Sequence, residues 1–188
     1  MGLLLSLKVG FAELWNRSIS NRQRFLTPAL TGIGIGLVII IFHLIASQFF
    51  GFERTYDRQF PNSILSALNT SISYELVFRL FFITFFVGLV SRFLVRNRWP
   101  NQVFWIIAAL SACLFILTTV SPVIIMYSRI IEKELPVANI IESILFSGLV
   151  SMFAAYYLRK AGFLAAAGVH ICANMVWVVI WGSLISAA

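Results

Sequence analysis

The chain has 188 residues, of which 60% are hydrophobic, 15% aromatic and 11% charged, with a formal net charge of +7 and a mean hydropathy of +0.93. Soluble domains carry roughly 25% charged residues, so this composition excludes a water-soluble globule, intrinsic disorder, a disulfide scaffold and a coiled-coil rod, and leaves an integral membrane protein. The length suffices for one compact bundle.

Before the first long apolar run, Leu3, Leu7, Phe11 and Leu14 recur at helical spacing while Ser6, Gly10, Glu13 and Arg17 take another face. That pattern predicts an amphipathic helix over 1–26 lying in the membrane interface. The run over 3–7 is too short for a cleaved signal peptide and already contains Ser6. Met1-Gly2 with Ser6 matches the myristoylation pattern only at the level of chance. About 20 apolar residues are needed to cross roughly 30 Å of hydrocarbon. Runs bounded by charge, Pro or Gly predict five spans, over 27–50, 74–91, 103–120, 137–158 and 163–185. The ten-residue alternation of a membrane barrel is absent. The fold class is therefore all-α, a polytopic transmembrane helix bundle over 27–188 behind the interfacial helix.

Within the first span Gly32 and Gly36 form a GxxxG step that lets another helix approach closely. Between the third and fourth spans, Ser121-Pro122 and Leu135-Pro136 bracket a segment with Ile124, Tyr127, Ile131 and Leu135 on one side. It is too short to cross and is predicted to lie at the outer interface or dip in. Cys113 and Cys172 both fall in apolar runs, where a thiol packs as a small side chain.

Basic residues divide unequally between the two sides. Lys8, Arg17, Arg22, Arg24, Arg92, Arg96, Arg98, Arg159 and Lys160 fall on one; Arg54, Arg58, Arg129 and Lys133 fall on the other, where Glu53, Asp57, Glu132 and Glu134 balance them. The positive-inside rule places the N-terminus in the cytoplasm and the C-terminus on the opposite side. The basic excess is thus a topology signal with membrane lipids as its partner. No Lys/Arg stripe interleaved with aromatics forms a groove for nucleic acid.

A charge at mid-membrane costs about 2.5–3.5 kcal/mol on insertion scales, so polar residues inside the spans pair or act. They are His43, Glu75, Arg79, Glu142, His170 and Asn174. At about 1.5 Å per residue from the nearest cytoplasmic basic residue, Glu75 and Glu142 lie roughly 25 Å deep, Arg79 and Asn174 about 20 Å, and His170 about 15 Å. Glu75 and Arg79 are spaced for an intrahelical ion pair, acid first. His170 and Asn174 repeat the four-residue spacing and point the same way. His43, about 28 Å in by the same count, is expected among the outer headgroups. Taken as isolated residues, Glu75, Arg79 and Glu142 read as a buried charge network, and His170 and Asn174 as hydrogen-bond glue between helices. Zinc is not supported, since three or four converging ligands are required, and no cofactor is expected.

Tyr74-Glu75-Leu-Val-Phe-Arg79, Phe146-Ser-Gly-Leu-Val150 and His170-Ile-Cys-Ala-Asn174 resemble, in order, the three motifs of the CPBP family of CAAX-processing and bacteriocin-processing intramembrane endopeptidases: Glu-Glu-x-x-x-Arg, Phe-x-x-x-His and His-x-x-x-Asn. The resemblance covers roughly 74–185. It implies a buried site in which the first Glu and the motif-two His activate a water while the third motif stabilises the oxyanion. A carboxylate suits the role of general base, and paired donors suit a developing oxyanion. Glu75 and Arg79 match the second Glu and the Arg, Phe146 the Phe, and His170 and Asn174 the oxyanion pair.

The departures fall on water activation. Tyr74 replaces the first Glu, Val150 the His, and Leu80 the Gly that commonly follows the Arg. A phenol with an ordinary pKa of about 10 is a poor base at neutral pH, and valine offers no lone pair. Glu142, four and eight residues before Phe146 and Val150, shares their face; it is expected to pair with Arg79, the alternative being a displaced carboxylate at the site. The resulting expectation is a protease-like protein impaired in proteolysis that binds an integral membrane protein or a hydrophobic peptide, or regulates one. The alternative is an active endopeptidase with Glu75 or Glu142 as base and membrane-associated or prenylated peptides as substrates. A small transporter subunit is a third reading, without the paired repeats that transport folds favour.

Overall fold

The computed structural model describes residues 18–50, 60–93, 100–131 and 134–187. Those residues form an all-helical bundle with no strand among them. Five helices are long and apolar enough to cross a membrane: α1 (Arg22–Ser47), α2 (Asn62–Ser91), α3 (Asn101–Arg129), α4 (Val137–Ala161) and α5 (Phe163–Ile185). The expected interfacial helix lies outside the described residues over 1–17. Residues 22–26 are already the first turn of α1, a wide turn directly before Pro28, which has no N–H with which to continue the ladder.

Two spans are longer than hydropathy predicts. The second begins at Asn62, twelve residues before the expected start at 74. The added stretch carries Ser63, Ser66, Asn69, Thr70, Ser71 and Ser73, which depress its hydropathy without breaking the helix. Ser63, Ala67 and Ser71, one turn apart, are buried against the bundle, and the Ser71 hydroxyl donates to the Ala67 carbonyl at 2.7 Å. The third span runs on through Pro122 to Arg129, so residues 121–129 of the separate interfacial segment expected over 121–136 are instead the last third of α3. Pro122 lies inside α3 and cannot donate to the Thr118 carbonyl one turn before it; the helix continues nonetheless, with the Thr118 and Thr119 hydroxyls both donating to the Phe115 carbonyl, at 2.9 and 3.0 Å.

α5 is the central element, packed on α1, α4 and α2. Its sequence over 165–173 is mostly small and apolar, and Ala165, Ala166, Val169 and Ala173 are fully buried, as expected of helices that approach closely in lipid. Gly32 and Gly36 form the α1–α5 seam. A Cβ on Gly32 would lie 2.3 Å from the Val169 carbonyl oxygen, and one on Gly36 would lie 2.6 Å from the Val176 Cβ. Around the outside, Leu30, Ile33, Leu37, Ile41, Leu44 and their counterparts on the other helices are exposed, the apolar outer face of a bundle solvated by lipid. At one end Ile83, Val87, Phe104, Ala154, Leu158 and Ala166 close a dry core. The opposite half, toward the α1–α2 and α3–α4 connections, holds the polar groups.

α4 and α5 are joined by Gly162 alone, at φ 85° and ψ −174°. That region of backbone space is essentially closed to residues with a Cβ, at about 1–3 kcal/mol. Gly162→Ala is therefore expected to lower stability by about 1–3 kcal/mol with no change in helical content, read by denaturant titration in micelles.

Candidate functional site

A cavity of about 370 Å³ opens among α2, α3, α4 and α5, within the range of small-ligand sites. α2 contributes Thr70 and Tyr74, α3 Phe115 and Thr119, α4 Glu142 and Phe146, and α5 His170, Asn174 and Trp177. The last turns of α2 before Tyr74 reach the cavity only because the helix begins at Asn62.

Its inner wall is a buried relay. His170 Nδ1 lies 2.9 Å from Glu75 Oε1, and the other carboxylate oxygen, Oε2, faces Arg79 Nε at 3.5 Å, an ion pair without hydrogen-bond geometry. The Arg79 guanidinium sits 5.0 Å from the Phe115 ring centroid, and its Nη atoms have no hydrogen-bond partner among the described residues. Glu75 and Arg79 are both fully buried and stand behind the cavity lining rather than in it. They begin a wide helical stretch, Glu75–Ile83, and a second wide stretch, Met175–Trp181, follows Asn174 directly. Such departures from α geometry concentrate at functional sites. Asn174 Nδ2 donates to Ser71 Oγ at 2.8 Å. Tyr74 stacks on His170 at 6.4 Å and 12°, and Phe115 meets the same imidazole edge-on at 5.6 Å.

A second carboxylate–imidazole pair stands at the outer wall. His43 Nδ1 lies 2.8 Å from Glu142 Oε2, with Trp177 and Trp181 packed edge-on around the imidazole at 5.5 and 5.8 Å. This corrects one expectation: Glu142 pairs with His43 and not with Arg79. The depth ruler ranks residues along the membrane normal and carries no lateral information; α4 packs more extensively on α1 than on the stretch of α2 that carries Arg79.

Of the residues expected at the site, Tyr74, Glu142, Phe146, His170 and Asn174 line one cavity, while Glu75 and Arg79 support it from behind. Val150 does not line it. It is fully buried in a separate cluster with Ile35, Val169 and Ala173, because one turn beyond Phe146 α4 is already packed on α1 and α5. Phe115 and Thr119 occupy the wall that Val150 was expected to share. Sequence reading passed over them, although they repeat the Phe-x-x-x spacing; Thr119 Oγ1 also lies 3.0 Å from Ser147 Oγ. Ser71 and Trp177 were missed as well, the first for want of a hydropathic span and the second because an aromatic in a span reads as lipid-facing.

With Nδ1 engaged by Glu75, Nε2 is the ring nitrogen of His170 left for a ligand, beside the Asn174 amide and several hydroxyls. Such a wall offers hydrogen bonds to a carbonyl or amide in a water-poor setting. Among the described residues no three His, Cys, Asp or Glu side chains converge as a metal site would require. Comparison with protein-family models, with curated proteins and with solved structures returns no match.

Proposed function

We propose that this chain is a CAAX-protease-like membrane protein that holds a hydrophobic peptide or a segment of another membrane protein in its cavity without hydrolysing it, and so acts as a binding or regulatory factor. In this reading the N-terminus is cytoplasmic, by the basic residues flanking the spans, and the cavity opens toward the opposite side. The observation that carries the proposal is the wall around His170. Tyr74, Phe115 and Thr119 surround the imidazole, and the nearest carboxylate, Glu75, is sealed behind it. The Asn174 amide, the Thr119 hydroxyl and the lone pair on His170 Nε2 can thus hydrogen-bond a bound peptide group, while the carboxylate paired with the imidazole is sealed from the cavity.

Glu142 favours a second reading, because its carboxylate does line the cavity and has an imidazole behind it. There the protein is an endopeptidase with Glu142 as the displaced base, in preference to Glu75, which is buried behind the lining.

One experiment separates them. The protein in lipid nanodiscs is offered fluorescent transmembrane and prenylated peptides, with binding read by anisotropy and cleavage by mass spectrometry. The expected result is binding without cleavage, weakened by about tenfold in His170→Ala, in keeping with the loss of one hydrogen bond to a buried polar group. Cleavage by the wild type that disappears in both Glu142→Gln and His170→Ala would establish the second reading instead.

A further inference from the structure

The cavity lining is unusual in its charge. Among the described residues no lysine or arginine reaches it, and Glu142 is its one carboxylate. Arg79, the cation of the inner wall, is turned away behind Phe115 and matched by Glu75. Among the described residues, the ion-pair partner of Glu142 is the His43 imidazole. An imidazole is a hydrogen-bond partner rather than a fixed cation, so the Glu142 carboxylate has no lysine or arginine beside it among the described residues lining the cavity. A carboxylate at the wall of a cavity between membrane-length helices is less screened than one in bulk water, so it favours a positive ligand and opposes an anionic one. Trp177, of the aromatic type that attracts cations best, lines the same end, and the hydroxyls of Ser66, Thr118 and Ser143 supply acceptors along the wall. Deeper in, Tyr74, Phe115 and Phe146 make an apolar floor.

We propose that the cavity selects a protonated amine carried on an apolar body, with the ammonium set between the Glu142 carboxylate and Trp177 and the apolar part directed inward against Phe115 and Phe146. This rests on the reading of the cavity as a binding site and names the chemistry it recognises. Two sources carry that chemistry: the lysine side chain of a membrane-embedded segment, and a free lipophilic amine.

The test uses matched pairs on the full chain in nanodiscs of uncharged-headgroup lipid. One arm compares a transmembrane peptide bearing a single lysine in its outer half with the same peptide bearing norleucine. The other compares phenethylammonium with phenethyl alcohol and phenylacetate. The expected result is that the charged amine binds at least about tenfold more tightly than its neutral counterpart in one arm or both, the arm identifying the source. Phenylacetate should bind more weakly than the alcohol. Glu142→Gln should bring the preference close to unity, whereas Glu142→Asp, which keeps the charge, should retain it. Equal affinity within both pairs, or a preference that survives Glu142→Gln, overturns the inference. Because the wild-type pairs decide by themselves, a Glu142→Gln protein that fails to fold does not rescue it. The norleucine peptide keeps the two proposals apart: if it binds as well as the lysine peptide and the amine pair shows no preference either, the binding function stands and charge selection falls.

Discussion

Glu75→Gln is expected to cost about 3–5 kcal/mol of stability, because it leaves the Arg79 guanidinium alone in the bundle. Among the described residues Glu75 is the carboxylate paired with Arg79, whose guanidinium otherwise faces the ring of Phe115. The glutamine is nearly isosteric and keeps an oxygen for His170 Nδ1, so the loss isolates the charge rather than the hydrogen bond. Replacing both partners, Glu75→Gln with Arg79→Met, removes the stranded charge and should recover most of the stability, since exchanging a buried ion pair for apolar groups of similar volume is often neutral. Unfolding by denaturing detergent, followed by circular dichroism, measures all three proteins. A single variant as stable as the wild type would show that Glu75 does not hold Arg79 as a charge. The double variant serves a further purpose: if it is stable but has lost peptide binding, the inner pair is what orients His170 toward the cavity.

Gly32→Ala should be the most damaging change on the α1–α5 seam. Its new methyl would meet the backbone carbonyl of Val169 at 2.3 Å, with the Cys172 Cβ at 2.9 Å. Backbone cannot swing aside as a side chain does, so the helices must separate. Overpacking of this kind costs about 1–3 kcal/mol, and Gly32→Ala should fall at the upper end. Gly36→Ala meets mainly the Val176 side chain, so Val176→Ala should rescue it in part and leave Gly32→Ala unrelieved. Gly34, on the same helix with nothing near its Cβ position, provides the control. There alanine should be neutral or stabilising by up to about 1 kcal/mol through its better helix propensity. Equal losses at positions 32 and 34 would mean that the effect is not one of helix approach.

Much of the fold was legible because hydropathy and helical spacing are local properties. Five runs of apolar residues predicted five helices, and Gly32 with Gly36 predicted a close seam without naming its partner. The errors have local causes too. Hydropathy undervalued 62–73 because it charges for serine and threonine as though their hydroxyls lay in lipid, whereas Ser71 satisfies itself on its own helix and then accepts from Asn174. Pro122 bounds an apolar run because it cannot donate to the helix ladder, yet α3 continues past it to Arg129. At the site, the four-residue spacing of His170 and Asn174 correctly placed both on one wall. It was silent on Phe115 and Thr119, whose chemistry is ordinary and whose importance comes from facing His170.

Composition and order along the chain alone determined that the protein is a helical membrane bundle, and which few polar residues its interior must accommodate, since both follow from the transfer free energy of each segment taken singly. Which polar residues meet was decided only by tertiary structure. Glu142 and Arg79 have opposite charge and similar depth, yet Glu142 joins His43, ninety-nine positions away, and Arg79 stays with Glu75. Depth is set by each helix's own length, but pairing depends on which helix lies beside which. That choice is made by small-residue seams such as Gly32 against Val169, through van der Waals contact spread over whole helices.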